Sequence, residues 1–197
     1  MMQIEGIVLA GGFSSRVGTY KMELELDGKK LIEKTIEGMA EVCSKIYVVG
    51  GYQVERLQKI FFKNSKIEVV FNANYINGMY SSIQEGVKHI RGERFFIMPG
   101  DCPLVSSKIY KHLLEIEGDI IIPSFNGRKG HPILLAGHLA REILEDSIVS
   151  NLRKFIGKHL YKLAQVDEES ILFDVDTMED YRKIQELYQR YCSKGSS

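Results

Sequence analysis

The 197-residue chain has no excess of either charge: 26 Lys and Arg balance 26 Asp and Glu, and the isoelectric point lies near 7.0. General attraction to nucleic acid, membrane phosphates or acidic polymers is thereby excluded, and any anion the protein binds must be held locally. Cysteine is scarce. Cys43, Cys102 and Cys192 form neither an even disulfide set nor a CxxC metal pattern, which points to a reducing, cytoplasmic setting. Long apolar runs are missing: stretches such as Phe95 to Pro99 and Ile120 to Pro123 fall far short of the roughly 18 residues a membrane span needs. The N-terminus opens on an alternating strand rather than a basic and then apolar leader, so no secretory signal is expected. Repeats, low-complexity tracts and linkers rich in Pro, Gly or Ser are also lacking, and a single domain over residues 1–191 with a flexible tail at 192–197 is expected. What the chain does have is apolar mass. Its 44% hydrophobic content suffices for a sizeable core and excludes disorder, collagen and coiled coil.

Apolar periodicity alternates between the two regular periods along the chain. Short β-rich runs at Ile4 to Leu9, Ile46 to Val49, Ile67 to Phe71, Phe95 to Met98 and Ile120 to Pro123 read as strands. Between them, Lys30 to Cys43, Val54 to Phe62, Met79 to Ile90 and Ile109 to Ile116 read as amphipathic helices. Such alternation implies βαβ crossovers, and so an α/β class: a Rossmann-like three-layer domain with a mostly parallel sheet. After Pro123 the rhythm changes. Asn126-Gly127 is a hairpin signal and Pro132 to Leu135 reads as a returning strand, so one antiparallel strand is expected. Residues 138–158 read as helical, 160–166 as extended and Thr177 to Tyr191 as a helix, with Thr177 and Asp180 forming a capping box.

Open parallel sheets bind ligands at the carboxyl ends of their strands, so the segments that follow each strand carry the functional information. Leu9-Ala10-Gly11-Gly12-Phe13-Ser14-Ser15-Arg16-Val17-Gly18, with Lys21 beyond it, combines three glycines, two hydroxyls and two cations. A polyphosphate cradle and a plain βα turn with surface basics both account for it. Neither a Walker A loop nor GxGxxG is present, and Gly50-Gly51 stands where a dinucleotide fold carries its ribose-binding acid. Met98-Pro99-Gly100-Asp101-Cys102-Pro103 places a carboxylate at a strand end, suited to a hard cation or to an ordinary turn, while Cys102 fits a buried small hydrophobe. In Phe173-Asp174-Val175-Asp176-Thr177 the two aspartates share a face, so one is able to complete a metal site begun by Asp101; helix capping explains only one of them. The loop Asn72 to Ser82 offers amides and hydroxyls for a base or ribose, or serves as a plain polar loop. Gly127 to Pro132 is a flexible basic loop in which His131 is an acid–base group or a structural residue.

In this order, the five segments resemble the nucleotidyltransferase family of molybdenum-cofactor guanylyl- and cytidylyltransferases and their relatives, the MobA/MocA-like enzymes, over residues 4–181. LAGGFSSRVG with Lys21 is the most specific part; Gly78-Met79 with Ser82, Gly100-Asp101-x-Pro103, Gly130-His131-Pro132 and Asp174-Val175-Asp176-Thr177 support it. Val17, Cys102 and Met178 depart from the usual pattern without removing a charge. Ala10-Gly11-Gly12 resembles the guanylyl branch, whereas Gly130-His131-Pro132 and the Asn loop resemble the cytidylyl branch. The resemblance implies transfer of NMP from CTP or GTP to a phosphorylated acceptor such as molybdopterin, with Mg²⁺ as cofactor, by a monomer or small homo-oligomer. It implies Lys21, Arg16 and Asp101 as catalytic residues, and Leu9, Ala10, Gly11, Gly12, Ser14, Ser15, Asn74 and Ser82 as nucleotide contacts. Gly130 and His131 fall on the acceptor side, and Asp101 with Asp176 on the metal. A sugar- or polyol-phosphate nucleotidyltransferase and a non-catalytic nucleotide-binding regulator are the competing readings.

Overall fold

The computed structural model describes residues 2–11, 20–146 and 151–194, with side chains as far as residue 190. Gly12, Ser14, Ser15 and Arg16 therefore lie outside the described residues. In chain order the strands are β1 (Ile4–Leu9), β2 (Glu25–Leu26), β3 (Lys29–Lys30), β4 (Lys45–Gly50), β5 (Ile67–Phe71), β6 (Arg94–Pro99), β7 (Ile120–Phe125), β8 (Arg128–Lys129), β9 (Ile133–Ala136) and β10 (Lys162–Gln165). The helices are α1 (Leu31–Ala40), α2 (Val54–Phe61), α3 (Met79–Val87), α4 (Ser107–Leu114), α5 (Leu139–Glu145), α6 (Leu152–Ile156) and α7 (Met178–Lys194).

The main sheet runs β10-β7-β9-β6-β1-β4-β5, with β8 attached to β7; β2 and β3 form a separate hairpin. Within the main path only β9 is reversed, pairing antiparallel with both β6 and β7, as the sequence led one to expect. Central strands are buried on both faces, which is why they read as unbroken apolar runs. Successive side chains then feed opposite layers: Phe96 and Met98 pack with Ile36, Leu57 and Tyr110 from α1, α2 and α4, whereas Phe95 and Ile97 pack with Ile83, Ile143 and Phe155 from α3, α5 and α6. Each fully buried side chain of this size contributes about 1.5–3 kcal/mol. A third cluster, Leu26, Leu31, Leu104, Val175 and Ile184, joins the β2–β3 hairpin to α7. Successive strands run outward from β1 through β4 to β5, and the chain then returns to place β6 on the other side of β1. This reversal of winding opens a crevice at the carboxyl ends of β1 and β6.

Three expectations are corrected. The helix expected over 138–158 is two short ones: Asp146 leaves helical geometry (φ −80°, ψ 86°), and Asn151 caps α6 by accepting from the Lys154 N–H at 2.9 Å. An Asn side chain that caps the backbone competes with helix continuation, so the break was written at Asn151. Asn126 and Gly127 do adopt the positive φ values of a hairpin turn, 49° and 78°, but the turn leads into β8 before the chain re-enters the sheet as β9. Finally, α7 carries its expected box, with the Asp180 N–H donating to Thr177 Oγ1 at 3.1 Å and the Thr177 N–H to Asp180 Oδ2 at 2.8 Å, yet it runs on to Lys194 rather than ending at Tyr191. No helix among the described residues is long and apolar enough to cross a membrane.

Candidate active site

Beyond β6 the chain is drawn tightly under the end of β1: the Gly100 N–H donates to Leu9 O at 2.9 Å, and Thr35 Oγ1 donates to Gly100 O at 3.0 Å. A side chain at Gly100 would sit 3.1 Å from Leu9 O and from Met22 Sδ, which explains the glycine. Asp101 is thereby held at the mouth of the crevice. Lys21 approaches from a single 3-10 turn, Lys21–Glu23, and its ammonium lies 2.5 Å from Asp101 Oδ2, 3.1 Å from Val175 O and 3.6 Å from Asp176 Oδ1. The Lys21 and Asp101 side chains are only 13% and 12% exposed, so their attraction is screened much less than a surface pair, whereas Asp176 at 52% faces solvent. The Val175 N–H closes the arrangement by donating to Asp101 O at 3.0 Å. Segments 80 and 154 residues from Lys21 thus converge on one cation. Of the two aspartates before α7, Asp176 is the one that meets Lys21; burial, reinforced by the Asp101 and Asp176 charges, holds the Asp174 carboxyl above its ordinary pKa.

At the end of β1, Ala10 spends its N–H on Val49 O at 2.8 Å and is almost fully buried. The Ala10 N–H is therefore spent within the sheet, which corrects the expectation of a nucleotide contact through that group. Gly11 lies over the Asn loop: a side chain there would come within 3.1 Å of Ser82 Oγ. The residue that organises this loop is Asn72, which sequence reasoning quoted but did not single out. Fully buried, it donates to Ser81 Oγ (2.9 Å) and Ser82 Oγ (3.0 Å) and accepts from the Asn74 N–H (2.9 Å). Ser82 is itself buried beneath Gly11, while Asn74 is exposed. Tyr75 packs so closely on Gly51 that a Cβ there would lie 2.3 Å from the Tyr75 Cβ. Sequence alone held no clear signal for Asn72, since burial, which obliges an amide to find partners, is what sets it apart from Asn74 and Asn77.

A cavity of about 950 Å³ continues from this crevice toward β7 and α6, with Leu9, Ile97, Pro99, Ile122, Gly130 and His131 among its walls. The structure thus brings Gly130 and His131 to the same end of the sheet as Asp101. A side chain at Gly130 would stand 2.3 Å from Ile171 O, so the backbone itself forms this wall. His131 Nδ1 is buried and has no hydrogen-bond partner among the described residues. Burial pushes the His131 pKa down, against the opposite pull of Asp101. Because the folded value lies below the unfolded one, protonation favours unfolding, and the stability this imidazole allows at neutral pH is lost as the pH falls through the ordinary value of about 6.5. His131→Gln is expected to flatten the decline in Tm between pH 7 and pH 5; identical slopes for variant and wild type would contradict this.

Cys102 adjoins Asp101 but is buried, and desolvation, then the Asp101 charge, drives its thiol far above the ordinary range; burial pushes Cys43 up to about 12. A thiolate is needed for reaction, so neither residue should label with iodoacetamide at pH 8 before unfolding. Rapid labelling of either, located by peptide mass spectrometry, would refute the structural role. Among the described residues no group of three or more His, Cys, Asp or Glu is arranged to hold a metal by itself.

A mostly parallel sheet with β9 reversed and a lysine–carboxylate pair at the reversal of winding define an α/β fold with its crevice where such folds take nucleotides. The family model of the MobA-like NTP transferase domain matches residues 6–164, and the chain belongs to that family; it is a nucleotidyltransferase. The chain is 28% identical to the molybdenum cofactor cytidylyltransferase of Escherichia coli K12 over 189 residues, covering 95% of this chain and 98% of the relative. It is 33% identical to a probable molybdenum cofactor guanylyltransferase of Bacillus cereus AH187 over 144 residues, 70% of each. Among solved structures, a nucleotidyl transferase from Methanothermobacter superposes with a TM-score of 0.82 at 21% identity, covering 96% of this chain and 99% of the other.

Proposed function

We propose that the protein transfers NMP from CTP or GTP to a phosphorylated acceptor of the molybdopterin type, releasing pyrophosphate in a Mg²⁺-dependent reaction. The observation that carries the reading is the meeting of Lys21, Asp101 and Asp176 at the switch in winding order. Both curated relatives described above are named for molybdenum cofactor chemistry. The cavity beside the pair has walls that include Leu9, Ile97 and Ile122, apolar surface that suits a broad ring system better than a polyol with many hydroxyls to satisfy. Free buried cysteines accord with a reducing cytoplasm.

In-line attack of an acceptor phosphate oxygen on the α-phosphorus brings together two anions. An NTP carries about four negative charges, and two unit charges 4 Å apart interact by roughly 4 kcal/mol at an effective dielectric of 20. Lys21 offsets this charge at the α-phosphate, where it grows in the transition state, with Arg16 toward the β- and γ-phosphates and the backbone from Gly11 onward orienting the chain of phosphates. Asp101 and Asp176 would supply hard oxygen donors to a Mg²⁺ ion, which when bound would neutralise phosphate charge. Ser82 and Asn74 serve the base or ribose, and Gly130 with His131 the acceptor. An ionised phosphate nucleophile needs no strong base, and none is required of His131. The test is a pyrophosphate-release screen of each NTP with Mg²⁺ against molybdopterin and a panel of sugar and polyol phosphates. Release with molybdopterin and CTP or GTP is expected. Release only with a sugar or polyol phosphate would overturn the acceptor, and silence despite tight NTP binding would overturn catalysis.

A further inference from the structure

The hairpin that follows Lys21 is too small to hold itself. Its strands pair through only Glu25 with Lys30 and Leu26 with Lys29, around a turn in which Asp27 and Gly28 both have positive φ, 52° and 72°. Isolated two-stranded ribbons are marginal in water even when longer, so the order of this one, and of the lysine just before it, must come from its neighbours. Beneath it sits Lys34 of α1, whose side chain is 6% exposed. A lysine so buried requires partners for its ammonium. Lys34 Nζ donates to Tyr188 Oη at 2.7 Å and to Asp27 Oδ2 at 3.2 Å, and Tyr188 Oη donates to the same Asp27 oxygen at 3.0 Å. The ammonium also stands 4.7 Å from the centre of the Tyr188 ring. One helix, one hairpin turn and α7 are therefore tied in a closed triangle. A second tie runs from Tyr181 Oη to Glu25 O, and Leu26 packs in the same apolar cluster as Ile184.

The other end of α7 is fixed to the reacting groups. Its lead-in segment carries Val175, which bonds to both Lys21 Nζ and Asp101, and Asp176, which faces Lys21. The last helix thus holds the hairpin by its body and the carboxylate loop by its entry, with Lys21 between the two attachments. We infer that Tyr188, locked to Lys34 and Asp27, is a positioning residue that acts through Lys21 by keeping its ammonium in register with Asp101 and Asp176. A displacement of a charged group by a fraction of its bond length is costly in a reaction that depends on placement.

The kinetic part of the test rests on the nucleotidyl-transfer reading; the exchange part does not. Tyr188→Phe keeps the ring, and with it the packing and the ring–ammonium contact, but removes the hydroxyl that closes the triangle. Amide hydrogen exchange at Glu23, Leu24 and Leu31, whose N–H groups bond within the turn and hairpin, is expected to accelerate in Tyr188→Phe and in Asp27→Asn, a change at an exposed turn. Exchange as slow as in the wild type in both variants overturns the inference, whatever the reaction proves to be. With the acceptor found by the screen, kcat of Tyr188→Phe is expected to fall about 10- to 100-fold while nucleotide Kd stays within about twofold. In a Lys21→Ala background the same substitution should produce no further loss of kcat. Losses that multiply in the double variant would show α7 to be a prop for the fold at large and overturn the inference. If the wild type releases no pyrophosphate with any pair, the functional reading falls, and the exchange measurement still decides whether the clamp exists.

Discussion

Lys21→Ala is expected to reduce kcat by roughly 10²–10³-fold, the loss typical of a single preorganised charge donor at a reacting centre, while NTP affinity changes by less than about tenfold. The asymmetry follows from where the ammonium stands. It is sheltered from water, and it is held by two oxygens on separate segments, Asp101 Oδ2 and Val175 O, so little reorganisation is needed as negative charge accumulates on the α-phosphate. Lys21→Arg should not restore the rate, because a planar fork is a different shape from a point charge seated against a carboxylate and a carbonyl. Steady-state kinetics with direct measurement of nucleotide binding distinguishes the cases. Equal losses in kcat and in affinity would make Lys21 a binding contact only.

If Asp101 holds Mg²⁺ as proposed, Asp101→Asn is expected to lower turnover by about 10³-fold or more, since a cation that neutralises phosphate charge is worth several kcal/mol and each 1.36 kcal/mol is tenfold. The amide keeps the shape of the side chain and still offers an oxygen to Lys21, so the backbone bonds of Gly100 and Val175 that position residue 101 are retained. Thermal unfolding measured beside the kinetics checks that the fold survives. An unimpaired variant would remove Asp101 from the proposed metal site, and full rescue by raised Mg²⁺ would reduce it to an auxiliary ligand.

Much of the scaffold was legible because its physics is local. Strands buried on both faces announce themselves as apolar runs, as Phe95 to Met98 does, and helices that cover a sheet show period-3.6 stripes, as Leu31 to Met39 does. Asp101 was legible for a similar reason: a carboxylate at the end of such a strand has few places to go. The β2–β3 hairpin was not, because two-residue strands carry no period and are held by Tyr181 and Tyr188 from the far end of the chain. The break between α5 and α6 was hidden by apolar residues that continue the helical spacing on both sides of it. Asp174 and Asp176 could be placed on one strand face, but which of them reaches Lys21 depends on how α7 is seated. The organising role of Asn72 was obscured by two more asparagines within five residues, which differ from it only in burial.

The reversed course of β9 has a bearing on how such a protein can change. Because that strand enters the sheet backwards, its leading residues, rather than its trailing ones, arrive beside the ends of β6 and β1, with Ile133 level with Ile97. Part of the cavity wall, from Gly127 to Tyr161, consequently comes from a stretch of chain that contains neither Lys21 nor either of the carboxylates it meets, while Leu9, Met79, Ile97 and Ile122 are among the residues that supply the rest. Insertions, deletions and exchanges there reshape what the cavity admits while the charged pair is left as it stands. A single ancestral reaction centre can in this way be fitted with successive new docking chambers, each tried without dismantling the machinery that already works.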